Sequence, residues 1–198
     1  MNTDKLKERI PIIVNLYNSN NFPIVIKEAN TLLKKNPNID FLWNILGLSY
    51  QHLKNFEKAE KNFFRCLQVN PKNISAINNL GNNYKYLFNY AEAEKYFLKA
   101  LEQNSKYLNA LINYGNLKFE LNQSLEALEL LNKALLIDTK SVSVNINLAL
   151  VYQGIGEYDK AIKILKNINT LNPKIVRADK MMSSLINYKN NNDHLLSM

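Results

Sequence analysis

Apolar residues in this chain recur at spacings of three and four along stretches separated by short polar breaks, as in "FLWNILGLSYQHL" followed by "FEKAEKNFFRCLQ". That spacing places the apolar side chains on one stripe of an α-helix. Two such helices alternate with short turns: in this pair "KN" before Phe56 makes the turn, and "NPKN" closes the unit with Pro71 where a helix cannot continue. Glycine and proline are scarce, at five each, which disfavours an all-β chain, and the predominance of helical spacing predicts an all-α one.

The pairs repeat. Gly47, Gly81 and Gly115 stand 34 residues apart, with Ile13 and Ala149 in the flanking slots of the same column. Ala59, Ala93, Ala127 and Ala161 form a second column, Phe63, Phe97, Leu131 and Leu165 a third, and Pro37, Pro71 and Pro173 a fourth with Ser105 and Thr139 between. Tyr50, Tyr84 and Tyr152 share a fifth, with Leu16 and Lys118 in the remaining slots. Small Gly47 and Ala59 are expected to face each other and let the helices of a pair approach. Trp43, Leu46, Tyr50, Phe63 and Leu67 are expected to fill the seam. One hairpin cannot bury its own apolar face, so stacked neighbours must complete the core.

The motif W-x-x-L-G-x-x-Y at Trp43, Leu46, Gly47 and Tyr50, followed by Ala59, Phe63, Cys66 and Pro71, resembles the tetratricopeptide repeat. The resemblance covers residues 6–188: five units starting near 6, 40, 74, 108 and 142, then a last helix at 176–188. Residues 1–5 read as an N-terminal extension, and 189–198 as a polar tail, either disordered or the start of further chain. The fold implied is a right-handed α-solenoid of helix-turn-helix units. The first unit is degenerate, with Ile13 for the glycine, Val25 for the alanine, and Pro11, which is tolerable only near the start of a helix. The related pentatricopeptide repeats have a longer period and lack the W-L-G-Y pattern.

In this family the first helix of each unit lines the concave surface. Counting from each unit's first residue, the sixth position holds Asn79, Asn113 and Asn147, and the ninth holds Asn82 and Asn116; Ile45 and Met181 break the rung column. A carboxamide offers two donors and two acceptors on a short stem, so a row of them can grip a peptide backbone without reading its side chains. Members of the family that hold extended peptides line their grooves in this way. The resemblance therefore implies peptide binding through Asn79, Asn113 and Asn147, with Asn82 and Asn116 beside them. Asn78, Asn109, Lys85, Tyr86, Phe119, Arg177 and Lys180 are secondary groove positions, and Phe41, Leu48, Ile112, Ile146 and Leu150 add apolar patches. The carboxylate clamp of chaperone-binding relatives needs Lys and Asn in one first helix, Asn in the next, and Lys and Arg in the third; the matching positions here hold Asn78, Asn82, Asn113, Ser143 and Asn147, so the required cations are absent and that mode is excluded.

Composition changes the picture little. The net charge of +8 invites a nucleic-acid partner, but the lysines ride mostly on the second helices among acids and form no track interleaved with aromatics. Nucleic-acid contact is expected only as nonspecific binding at low salt. An Asn-, Lys- and Ile-rich composition also suits a bacterial AT-rich coding sequence. His52 and His194 have no second metal ligand at a recognisable spacing, and Cys66 sits in a small-residue core column. No phosphate-cradling loop or catalytic arrangement is present, so neither a cofactor nor catalysis is expected within the chain. With no long apolar run and no signal peptide, the location expected is cytoplasmic. The expected role is a scaffold for a protein or peptide segment, with self-association possible at the C-terminal end. The alternative expectation is the N-terminal, regulatory or substrate-recruiting repeat region of a bacterial sulfotransferase or glycosyltransferase, because "ADKMMSSLINYKNNNDHLLSM" resembles the segment that leads into further helices in sulfotransferase-fused arrays.

Overall fold

The computed structural model describes residues 3–171 and 180–185. Ten helices follow one another without a strand among the described residues. They fall into two units, 1–105 and 106–198. The first holds α1 (Thr3–Asn18), α2 (Phe22–Leu33), α3 (Asp40–His52), α4 (Phe56–Val69), α5 (Ile74–Tyr86) and α6 (Tyr90–Gln103). The second holds α7 (Leu108–Glu120), α8 (Ser124–Ile137), α9 (Val142–Gly154) and α10 (Tyr158–Leu171), and residues 180–185 are again helical. In each unit consecutive helices pair as hairpins. The second helix of one hairpin packs on the first helix of the next, and the first helices also touch, α3 on α5 and α7 on α9. Each unit is thus a stack of tandem helix hairpins.

Every hairpin turns in the same way. The residue after each first helix's cap has a positive φ: Asn20 at 58°, Lys54 at 57°, Phe88 at 58°, Asn122 at 60° and Gly156 at 82°. The next amide donates back to the helix, as in Asn55 N to Tyr50 O at 2.8 Å and Asn89 N to Tyr84 O at 2.9 Å. This is the left-handed closure that satisfies the last carbonyls of a helix. Only Gly156 accepts it without steric cost, and a bulky Phe88 there is unusual. Asparagine starts the second helix in the first three hairpins, at Asn21, Asn55 and Asn89, and Gln123 does so before α8. The side chains of Asn55 and Asn89 accept from Lys58 N at 3.1 Å and Glu92 N at 3.3 Å, and Asn73 caps α5 through Ala76 N at 2.9 Å.

The core follows the repeat columns. Ala59, Phe63, Ala93 and Phe97 are fully buried, as are Ala127, Leu131, Ala161 and Leu165. The nearest neighbour of Gly47 across the hairpin is the Phe63 ring, and at the equivalent Gly115 both Leu131 and the backbone of Ala127 lie close. A β-carbon on Gly47 would lie 2.4 Å from the Phe63 ring, and one on Gly81 would lie 2.6 Å from the Phe97 ring. The glycine makes room for an aromatic ring one helix away. Where the unit has Leu131 in place of phenylalanine, the same test at Gly115 gives a looser 2.9 Å. Trp43 packs at the margin of the N-terminal core, and its Nε1 donates to Pro37 O at 2.7 Å. Pro11 lies inside α1, since that helix begins at Thr3, and it removes one backbone donor from the helix interior.

A polar lock joins two hairpins of the first unit. Asp40, in the first turn of α3, receives Asn70 Nδ2 at 2.6 Å and Asn73 Nδ2 at 2.9 Å on one oxygen and Phe41 N at 2.8 Å on the other. Partial burial pushes its carboxyl upward, but these donors outweigh burial and hold it below the usual carboxylate value. A lowered folded pKa contributes stability above the unfolded value of about 3.9, and that contribution is lost as pH falls through the folded value. Asp40→Ala is expected to cost about 1–2 kcal/mol at neutral pH, with the gap to wild type closing in urea titrations run below that window. A gap independent of pH would mean that the charge of Asp40 contributes nothing.

Candidate functional site

The asparagines of α5 divide by burial. Asn78 is 4% exposed and Asn83 is 0% exposed. Asn83 Nδ2 donates to Phe56 O at 2.9 Å, and Asn83 Oδ1 accepts from Gln51 Nε2 at 3.4 Å, so this amide ties α5 to the start of α4. Buried polar groups persist when paired in this manner. Ser49, Leu117 and Val151 share its repeat position and are buried too, which is the sequence signal that marks Asn83 as internal. Asn78 was expected beside the rung column on the open face. It is buried instead and cannot offer its amide to a bound chain.

Asn79 is half-buried, and its Nδ2 donates to Asn44 Oδ1 at 3.0 Å, while Asn78 Nδ2 approaches Asn79 Oδ1 at 3.5 Å. Asn44 was not singled out from the sequence, although it shares the repeat position of Asn78. The contact joins α3 to α5 by an amide–amide bond and uses one of the two donors of Asn79. Asn82, one turn on, is half-buried and makes no side-chain hydrogen bond among the described residues. In the second unit Asn113, Asn116 and Asn147 are half-buried on α7 and α9. Asn116 and Asn147 make no side-chain hydrogen bond among the described residues, and Asn109 is exposed. The ninth-position amides are thus freer than the engaged Asn79.

The other expected positions scatter. Tyr86 is 53% exposed and stacks on Phe56 with ring centroids 5.4 Å apart, with Lys85 Nζ 5.9 Å from the Tyr86 centroid. Phe119 is half-buried against Gly154, where a β-carbon would meet its ring at 2.6 Å. Phe119, Leu150, Gln153, Tyr158 and Leu185 line a cavity of about 400 Å³ in the second unit. Lys180 is exposed on the helical segment 180–185; Arg177, the rest of the expected last helix and the whole tail 189–198 lie outside the described residues. Ile112 and Ile146, expected as groove patches, are 9% and 7% exposed and belong to the core, whereas Phe41, Leu48 and Leu150 are half-buried.

Reactive chemistry is suppressed by the same packing. Burial first, then the charge of Asp40, pushes the Cys66 thiol up to about 12, so it stays protonated at neutral pH. Tyr84 donates to Glu60 at 2.5 Å, and burial together with that bond raises its phenol well above the ordinary value. Among the described residues no three His, Cys, Asp or Glu side chains gather closely enough to hold a metal ion. No described helix is long and apolar enough to cross a membrane.

Family models of the tetratricopeptide repeat match residues 41–73, 72–140 and 142–175, together more than half of the 198 residues. No curated protein matches the chain. Among solved structures, a thermophilic repeat protein from Thermus thermophilus is 18% identical with a TM-score of 0.83, over 91% of this chain and 98% of its own. PilF of Pseudomonas aeruginosa is 18% identical with a TM-score of 0.78, over 100% of this chain and 90% of its own. YrrB, described as a repeat protein with an unusual peptide-binding site, is 18% identical with a TM-score of 0.59, over 85% and 87%. At these identities the solved structures speak to the fold alone. The repeat columns, the hairpin geometry and the matched family models agree, and the chain belongs to the tetratricopeptide repeat family.

Proposed function

We propose that this protein is a non-catalytic binding module in which the first helices of each unit's hairpins offer a face to an extended peptide segment of a partner. The observation that carries this reading is the set of half-buried amides without side-chain partners, Asn82 on α5, Asn116 on α7 and Asn147 on α9. A partly buried carboxamide that lacks an internal bond is poised to exchange water for the N–H and C=O of a bound backbone. Each such bond contributes about 0.5–1.5 kcal/mol net. Asn79 plays a different part: its bond to Asn44 holds the α3–α5 face in register and leaves its second donor for the ligand. The resemblance to YrrB, which carries a peptide-binding site, supports the same ligand class.

The test is capture of partners from lysate on wild type beside Asn82→Ala/Asn116→Ala/Asn147→Ala, both first shown to be folded by circular dichroism. A partner retained by the wild type is expected to be lost from the triple variant. Capture of the same partners in the same amounts by both would overturn the role of these amides. Asn79→Ala is expected to weaken the same partner by less, while lowering the melting temperature through loss of the Asn44 bond.

A further inference from the structure

The first unit carries an aromatic cleft at the turn end of α3, away from the rung amides. Gln51, His52, Lys54, Phe56 and Tyr86 line a cavity of about 220 Å³. One wall is His52. Its ring stacks on Phe22 at 4.5 Å and 7°, and its Nε2 lies 2.9 Å from the Tyr17 hydroxyl. Two aromatic neighbours therefore fix the orientation of this exposed imidazole. The opposite wall is the Phe56–Tyr86 stack, at 5.4 Å and 15°. A cavity of about 150 Å³ already accepts a benzene ring, so this one has room for one planar side chain between two rigid π surfaces.

The lip of the cleft is cationic, and at a cost. Lys54 adopts φ 57°, the left-handed turn position that Gly156 occupies in the last hairpin. A residue with a β-carbon is disfavoured there, as it is for Asn20, Phe88 and Asn122 at the equivalent turns of the other hairpins. The Lys54 side chain is exposed and forms no ion pair among the described residues. Lys85 stands beside the Tyr86 ring, and the chain as a whole carries +8.

We propose that this cleft is a specificity subsite that takes a Phe, Tyr or Trp side chain flanked by acidic residues in the partner peptide. The aromatic residue inserts between His52 and the Phe56–Tyr86 stack, and its acidic neighbours meet Lys54. The inference rests on the reading of the chain as a peptide binder and adds the sequence preference that backbone-gripping amides cannot supply.

The probe is the acetylated and amidated pentapeptide Glu-Asp-Phe-Glu-Asp, titrated into the uniformly ¹⁵N-labelled full chain, beside the same peptide with alanine for phenylalanine and beside adenosine monophosphate. The phenylalanine peptide is expected to shift the amides of residues 51–56 and 86, and the alanine peptide is not. Tyr86→Ala is expected to weaken the phenylalanine peptide by about three- to ten-fold. Lys54→Gly is expected to weaken it while raising the melting temperature, because it removes the charge and the backbone strain together. A structural role alone would move both readouts in one direction. Equal shifts from the two peptides, no shift at the cleft, affinity unchanged in both variants, or tighter binding of adenosine monophosphate than of the peptide would each overturn the proposal. Peptide shifts confined to the side-chain amides of Asn82, Asn116 and Asn147 would overturn the cleft and leave the binding module standing.

Discussion

Phe97→Ala will lower stability by about 3–5 kcal/mol, a large part of the roughly 5–15 kcal/mol that holds a domain folded. The ring is fully buried, and it lies so close to α5 that a β-carbon at Gly81 would sit 2.6 Å from it. Removing the ring empties a space that the surrounding helices close only in part. Gly81→Ala will also destabilise, by about 1–3 kcal/mol, although alanine by itself favours a helix by about 1 kcal/mol over glycine. The two changes should not add. In the double variant the new methyl group enters the space that the ring has left, so the combined loss should fall short of the sum by at least about 1 kcal/mol. The natural chain contains a milder form of this exchange at Gly115 and Leu131, where the same contact relaxes to 2.9 Å. Urea titration of the two single variants and the double variant provides the cycle. Strict additivity would show that ring and glycine are energetically independent and that the close approach is incidental.

The second large effect concerns a charge in a core column. Lys118 occupies the slot held elsewhere by Tyr50, Tyr84 and Tyr152, and it is 6% exposed. Its Nζ lies 2.8 Å from Glu126 Oε2 and 5.2 Å from the Tyr114 centroid. Glu126→Ala removes the carboxylate bonded to a buried ammonium. The expected cost is about 1–3 kcal/mol, below the 3–5 kcal/mol of a fully buried pair because the Glu126 side chain is half exposed to water. Lys118→Met keeps the stem and removes the charge, and it should stay within about 1.5 kcal/mol of wild type. Thermal melts of the two variants separate the explanations. If Lys118→Met loses as much as Glu126→Ala, the ion pair itself stabilises the unit rather than merely satisfying a charge the packing has enclosed.

Both sites show where reading the chain succeeds and where it stops. The glycine, alanine and phenylalanine columns at a period of 34 were legible because each repeat solves the same packing problem, and the same residue types recur wherever two helices meet. The pairing inside the hairpin was not. Periodicity places Gly47 on the inner face of its helix, but only the positions of two backbones in space decide how closely it meets the Phe63 ring. The left-handed column was hidden for a related reason. Lys54, Phe88 and Asn122 carry no common side-chain signal, and the turn geometry is imposed by the helices on either side.

The asparagines divide along the same line. Their 34-residue phase marked Asn79, Asn113 and Asn147 as equivalent in the sequence. Equivalence of position does not make equivalence of state. Asn79 is engaged because Asn44 happens to precede the rung column on the neighbouring helix, whereas Asn147 makes no such bond. Neighbouring amides on α5 serve the interior instead: Asn83 reaches the carbonyl of Phe56, and Asn78 is buried beside Asn79. The many asparagines of α5 are thus partly structural and partly available. By itself the sequence determined the helical class, the repeat and its register, because these follow from hydrophobic spacing along one chain. Tertiary structure alone decided which amides are occupied, which lysine is enclosed and which aromatic rings form a cleft, because those depend on distances between residues some thirty positions apart that no local pattern encodes.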